Sequence, residues 1–133
     1  MTVQRRDSHS TEFGEWLRCK YQDQIGSQNF SAQNLDYIWH NYRDGWFITI
    51  EEKRNKRQPD MSQLDTHGMV EQLLTKASGQ QVKTLRGVRP AEYRGHYLIV
   101  FENSSPADGW VNVNHERVSE LQLVGLLTTG RLK

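Results

Sequence analysis

A single cysteine, Cys19, is present in a chain of 133 residues. That scarcity excludes an intrachain disulfide framework and any zinc site built on several cysteines. It fits a reducing, cytoplasmic setting. No apolar run approaches the roughly 20 residues that cross a bilayer, so no membrane association is expected. Residues 1–10 are polar and carry no apolar core of the kind a signal peptide needs. Neither GxxxxGK[ST] nor GxGxxG occurs, which argues against nucleotide-cofactor binding. Apolar residues are scarce at 35%, while aromatics at 10% argue against wholesale disorder. The length suits one domain with a single core, expected over 10–133 behind a flexible arm, 1–9.

Charge is nearly balanced, at +1, but it is unevenly placed. Lys53, Arg54, Lys56 and Arg57 crowd into a few residues. Lys76, Lys83, Arg86, Arg89 and Arg94 follow against one acid, Glu92. Basic segments around a point of acids suit a phosphate polymer brought to a metal. Arg54, Lys56, Arg57, Lys83, Arg86 and Arg89 are therefore the expected contacts to such a polymer.

The pattern predicts a helix capped by Ser10 or Thr11 and running to about residue 21. Phe13, Trp16, Leu17 and Tyr21 would form its buried stripe. A short strand is expected near 29–32, then hairpin strands over about 34–42 and 46–53. A basic loop, 53–59, leads to a second helix capped by Asp60 or Ser62. Its apolar residues include Leu64, Met69, Val70, Leu73 and Leu74. Residues 80–94 give no clear pattern. A buried strand is expected at 95–101, a loop at 103–109, a short strand at 110–113, and a last helix capped by Asn114.

The most informative stretch is 35–53, LDYIWHNYRDGWFITIEEK. Strand formers flank Arg43-Asp44-Gly45, and Asp-Gly is a strong hairpin signal. With Arg43-Asp44 as the turn, Asp36 pairs with Glu51; with Asp44-Gly45, it pairs with Lys53. Either register gathers Asp36, Glu51 and Lys53 on one face. A one-residue slip would put Glu52 there instead. Two carboxylates suit a hard divalent cation, Mg2+ or Mn2+, with the Glu52 main-chain carbonyl as a further oxygen ligand. Lys53 would position the attacking water or neutralise developing charge.

This set resembles the PD-(D/E)XK nuclease superfamily over roughly residues 10–102. Asp36 stands at the family's first acid, although Asn34-Leu35 replaces the proline often found before it. Glu51-Glu52-Lys53 matches the (D/E)-x-K element. The resemblance implies a restriction-endonuclease-like fold, an αβββαβ core in a mixed α/β (α+β) sheet, here with an added C-terminal strand and helix. It implies a magnesium-dependent deoxyribonuclease. A first-helix glutamate is expected to join the site. Glu12 is favoured by helical spacing, Glu15 by its place beside Gly14. Gln63 fits the position of a glutamine that steadies the metal-bound water or phosphate. One site per chain implies a homodimer for double-strand cleavage, and a separate targeting protein is a further expected partner.

Other residues read as structural. His67, four after Gln63, is expected to face solvent; His96, Trp39, Trp46 and Trp110 are expected in or beside the core. Cys19 has no evident partner base. The alternative function is a non-catalytic nucleic-acid or protein interaction module that keeps the nuclease fold. A third reading is an unrelated α+β domain whose hairpin charges are structural.

Overall fold

The computed structural model describes residues 12, 13, 15, 16 and 33–132. The chain divides into two compact units, 1–34 and 35–133. In the first, Glu12, Phe13, Glu15 and Trp16 are helical and exposed. The Phe13 and Trp16 rings stack at 5.8 Å, but both are exposed, not the buried stripe expected of them. Leu17, Tyr21, Cys19, the 1–9 arm and the strand expected at 29–32 lie outside the described residues.

The second unit orders as β1 (Tyr37–Asn41), β2 (Trp46–Lys53), α1 (Met61–Ala77), β3 (Gln80–Thr84), β4 (Gly87–Phe101), β5 (Val111–Val113), β6 (Glu116–Val118) and α2 (Glu120–Thr129). These strands make a mixed six-stranded sheet in the order β1-β2-β4-β5-β6, with β3 paired to β4. The α+β class read from the sequence is the class found.

β1 and β2 form the expected antiparallel hairpin, with Tyr37 opposite Ile50 and Asn41 opposite Trp46. The connection is a four-residue loop, 42–45, and not a two-residue turn. Gly45 N–H closes it on the Asn41 carbonyl at 2.8 Å. The Asn41 side-chain oxygen accepts from the Arg43 and Asp44 amides. Gly45 has a φ of +83°, and a Cβ there would lie 2.7 Å from the Pro90 carbonyl oxygen. Only glycine meets both demands.

β2 and β4 run parallel, which requires a crossover, and α1 supplies it. Asp60 caps α1 in a capping box with Gln63, which satisfies two helix-end amides at once. Between Phe47 and Thr49 the β2–β4 register shifts. Phe47 faces Tyr93 while Thr49 faces His96, so β4 carries one extra residue there. Gly95, at φ +113°, lies in this bulge. A bulge lets residues three apart share a face. Tyr93 and His96 both reach the Thr49 hydroxyl as a result.

Trp46, Ile48 and Ile50 of β2 join Ile99, Phe101, Val111, Val113, Val118, Leu123 and Leu126 in one apolar cluster. Its helix is α2, capped at Ser119 and ended by left-handed Gly130. Asn114 does not cap that helix, as the sequence suggested. Asn114 and His115 both have positive φ, 50° and 73°, and turn the chain from β5 into β6. The Asn114 side chain accepts from Leu98 N–H at 2.9 Å. Residues 80–94, unassigned from sequence, are β3 and the first half of β4.

Candidate metal-binding site on the β1–β2 edge

The ladder of β1 and β2, continued one residue beyond Tyr37 and Ile50, sets Asp36 opposite Glu51. This is the pairing given by the first of the two registers weighed above. The Asp36 carboxylate accepts from Glu52 N–H at 2.7 Å. It thereby ends the hairpin and ties the carboxylate to β2. A strand residue presents its N–H and C=O to the same neighbour, so the Glu52 carbonyl is directed to this edge as well.

Glu51 is the centre of the arrangement. Its Oε2 accepts from the Gln63 amide at 3.3 Å and lies 3.5 Å from Lys53 Nζ. Its Oε1 lies 4.0 Å from His67 Nδ1 and has no hydrogen-bond partner among the described residues. Only 3% of the residue is exposed. Burial and the nearby Asp36 charge push its carboxyl up to about 7, with Lys53 opposing. Two carboxyls drawn together, one of them buried with an orphaned oxygen, are what a cation would relieve. The donors therefore fit a hard divalent ion. Among the described residues, no group of three or more His, Cys, Asp and Glu side chains is placed to hold a metal. The donor set is two carboxylates and a main-chain oxygen.

Gln63 serves two neighbours. Its side-chain oxygen accepts from Asp60 N–H in the capping box, and its amide nitrogen donates to Glu51. The first turn of α1 is thus fixed over the carboxylates. One turn on, His67 is buried and not solvent-facing. Its ring lies 5.4 Å from that of His96, whose Nδ1 is 2.8 Å from Thr49 Oγ1. Burial, then the neighbouring His67, lowers the His96 imidazole. The Thr49 hydroxyl also meets the Tyr93 hydroxyl at 3.0 Å. The Gln63–His67 spacing noted in the sequence was the available signal for His67; what it lacked was the polar sheet face that buries it.

Other expected residues are placed elsewhere. Glu52 points to the opposite side of β2, where it accepts from Arg54 at 3.1 Å and Tyr37 at 3.4 Å. The slipped register is thereby excluded, and Arg54 is engaged away from the carboxylates. Lys56 and Arg57 are exposed just beyond Lys53. Lys83, Arg86 and Arg89 lie on the β3–β4 ribbon, at the far end of the sheet from Glu51. Glu12 and Glu15 belong to the first unit, whereas Asp36, Glu51, Lys53, Gln63 and His67 belong to the second. Gln63 and His67 of α1 cover Glu51, which leaves 3% of that residue exposed.

No protein-family model, no curated protein and no solved structure matches the chain.

Proposed function

We propose that the chain is a metal-dependent hydrolase of DNA phosphodiester bonds. The reading rests on one observation: Asp36 and Glu51 share an edge with Lys53 and Gln63 while one buried Glu51 oxygen goes unpartnered. Asp36, Glu51 and the Glu52 carbonyl would hold Mg2+ or Mn2+. When bound, such an ion polarises a phosphate and lowers the pKa of water. Lys53, its side chain 15% exposed, brings a positive charge to where negative charge develops on the phosphoryl oxygens. Gln63 holds Glu51 in place and presents an amide at the same edge. Lys56 and Arg57 hold neighbouring backbone phosphates. A homodimer would place two such sites on one duplex, and a separate protein could supply targeting. A reducing compartment fits the lone cysteine; among the described residues no helix is long and apolar enough to cross a membrane.

The deep burial of Glu51 favours a second reading, an interaction module that keeps the scaffold without turnover. Supercoiled plasmid separates the two. With Mg2+ the wild type should nick it, chelator should stop this, and Asp36→Asn or Glu51→Gln should each remove nearly all activity while remaining folded. An intact plasmid after long incubation with Mg2+ or Mn2+ would leave the interaction module.

A further inference from the structure

The carboxylates occupy one end of a face that continues along β1. Ile38 pairs with Thr49 and His40 with Phe47, so their side chains lie on the same side as Glu51. Asp36, Ile38, His40 and Tyr42 follow one another at alternate positions on the edge strand and into its loop. From Asp36 to Tyr42 the chain advances about 20 Å at ~3.3 Å per residue. At the far end lies a cavity of about 560 Å³, lined by Ile38, His40, Tyr42, Phe47, Arg86 and Arg89 among others. Its size is that of a small-ligand site.

The cavity is formed between two hairpins, and no acid is among the described residues that line it. Val82 pairs with Arg89, and Thr84 with Gly87, so one face of the β3–β4 ribbon closes over the β1 edge. The Arg86 guanidinium lies 4.2 Å from the centre of the Tyr42 ring. Arg89 donates to the Tyr42 carbonyl at 3.3 Å. These contacts fix both cations beside an aromatic ring that is still 57% exposed. Leu85, at the ribbon tip, is fully exposed.

We propose that this cavity holds an unpaired end of the DNA strand whose phosphodiester lies at Asp36 and Glu51. The inference rests on the hydrolase reading and names its substrate class: DNA with a single-stranded arm. A concave cleft with aromatic and apolar walls accepts unstacked bases, whose faces pack on Tyr42 and Phe47. Arg86 and Arg89 take the phosphates between them. A stacked duplex offers no free base faces to Tyr42 and Phe47. The track from Asp36 to Tyr42 then spans a few nucleotides between the cut and the anchored end.

The test measures binding separately from cleavage, with Ca2+ in place of Mg2+. Full-length protein is titrated into two fluorescein-labelled probes, a blunt duplex and the same duplex with unpaired arms of about 8 nucleotides. The wild type should bind the forked probe at least tenfold more tightly. Arg86→Ala with Arg89→Ala should abolish that preference and lower the salt slope on the forked probe by about 1.4. Tyr42→Ala should weaken forked binding roughly tenfold. Leu85→Glu alters a side chain that packs on nothing and brings a negative charge to the cleft mouth, so it should weaken forked binding without changing the thermal melt. Equal affinity for both probes, or a forked-probe affinity unmoved in the double variant and in Leu85→Glu, overturns the proposal. Forked binding that depends on these residues in a chain that never cleaves would sink the hydrolase reading and leave the cleft. Cleavage with no forked preference would do the opposite.

Discussion

On one side of β2, Trp46, Ile48 and Ile50 join α2 and its partners in one apolar cluster. On the other side, Glu51 meets Gln63 and His67 of α1, and Thr49 meets Tyr93 and His96 of β4. The same strand thus holds two interiors. The first gains stability from area removed from water. The second buries a carboxyl, an imidazole and two hydroxyls, with a second imidazole half-buried, and these stabilise the fold only so far as each finds a partner. Among the described residues, Glu51 Oε1 does not find one. A face that buries such a carboxyl oxygen is a face shaped by something other than stability.

The comparison breaks most visibly from its apolar side. Leu126 is fully buried in the α2 cluster, so Leu126→Ala should cost about 2–5 kcal/mol, read as a lower urea midpoint at unchanged slope. On the polar side the sign should invert. Glu51 has its carboxyl raised from 4.5 to about 7, so the folded chain binds this proton more tightly than the unfolded one. Its contribution is fully present below pH 4.5 and is lost as pH rises through 7. In chelator, the wild type should therefore melt lower at pH 8 than at pH 5. Glu51→Gln should remove most of that difference and stabilise the protein at pH 8 by up to about 3 kcal/mol. A flat pH profile in the wild type would mean that Glu51 is already neutralised by other means.

Thr49→Val tests whether the polar cluster is knitted together. It keeps the volume but removes the oxygen shared by Tyr93 and His96, and should cost about 1–3 kcal/mol. A neutral result would show that water replaces the hydroxyl. The smallest effect is expected one residue from Glu51. Glu52 has a half-open ion pair with Arg54, so Glu52→Gln should change stability by less than about 1 kcal/mol and leave the carboxylate edge intact. Adjacent glutamates on opposite faces of one strand would then differ in size and sign of effect.

Much of this was legible in the chain. The hairpin was marked by Asp-Gly between strand formers, and period-two geometry carried that mark to Asp36, Glu51 and Lys53. Asp60, one of the two cap residues read from the sequence, announced α1. The buried face of α1 was not legible from its apolar residues, because the sheet beneath is polar. Leu64, Met69 and Leu73 are exposed while Gln63 and His67 turn inward. The β3–β4 ribbon escaped notice because both its faces are largely wet, leaving no alternation in QQVKTLRGVRP. Asn114-His115 resembled a helix cap since asparagine suits both a cap and a left-handed turn. The true cap, Ser119 with Gln122, lay only five residues on.

Asp36, Glu51, Lys53, Gln63 and His67 all fall within residues 36–67, ahead of β3 and β4. A recombination joint placed anywhere after that stretch would hand on the full set of side chains as one inherited piece. The ribbon, the 103–109 loop and the β5–β6 turn can lengthen, shorten or be exchanged without changing the order of those five residues. Within the stretch the tolerance reverses. One residue gained or lost in 42–45 that slips the ladder would carry Glu51 to the far face of the sheet and bring Glu52 in its place. Descendants of such a chain should vary in the lengths of their later loops and hold the length of that four-residue loop fixed.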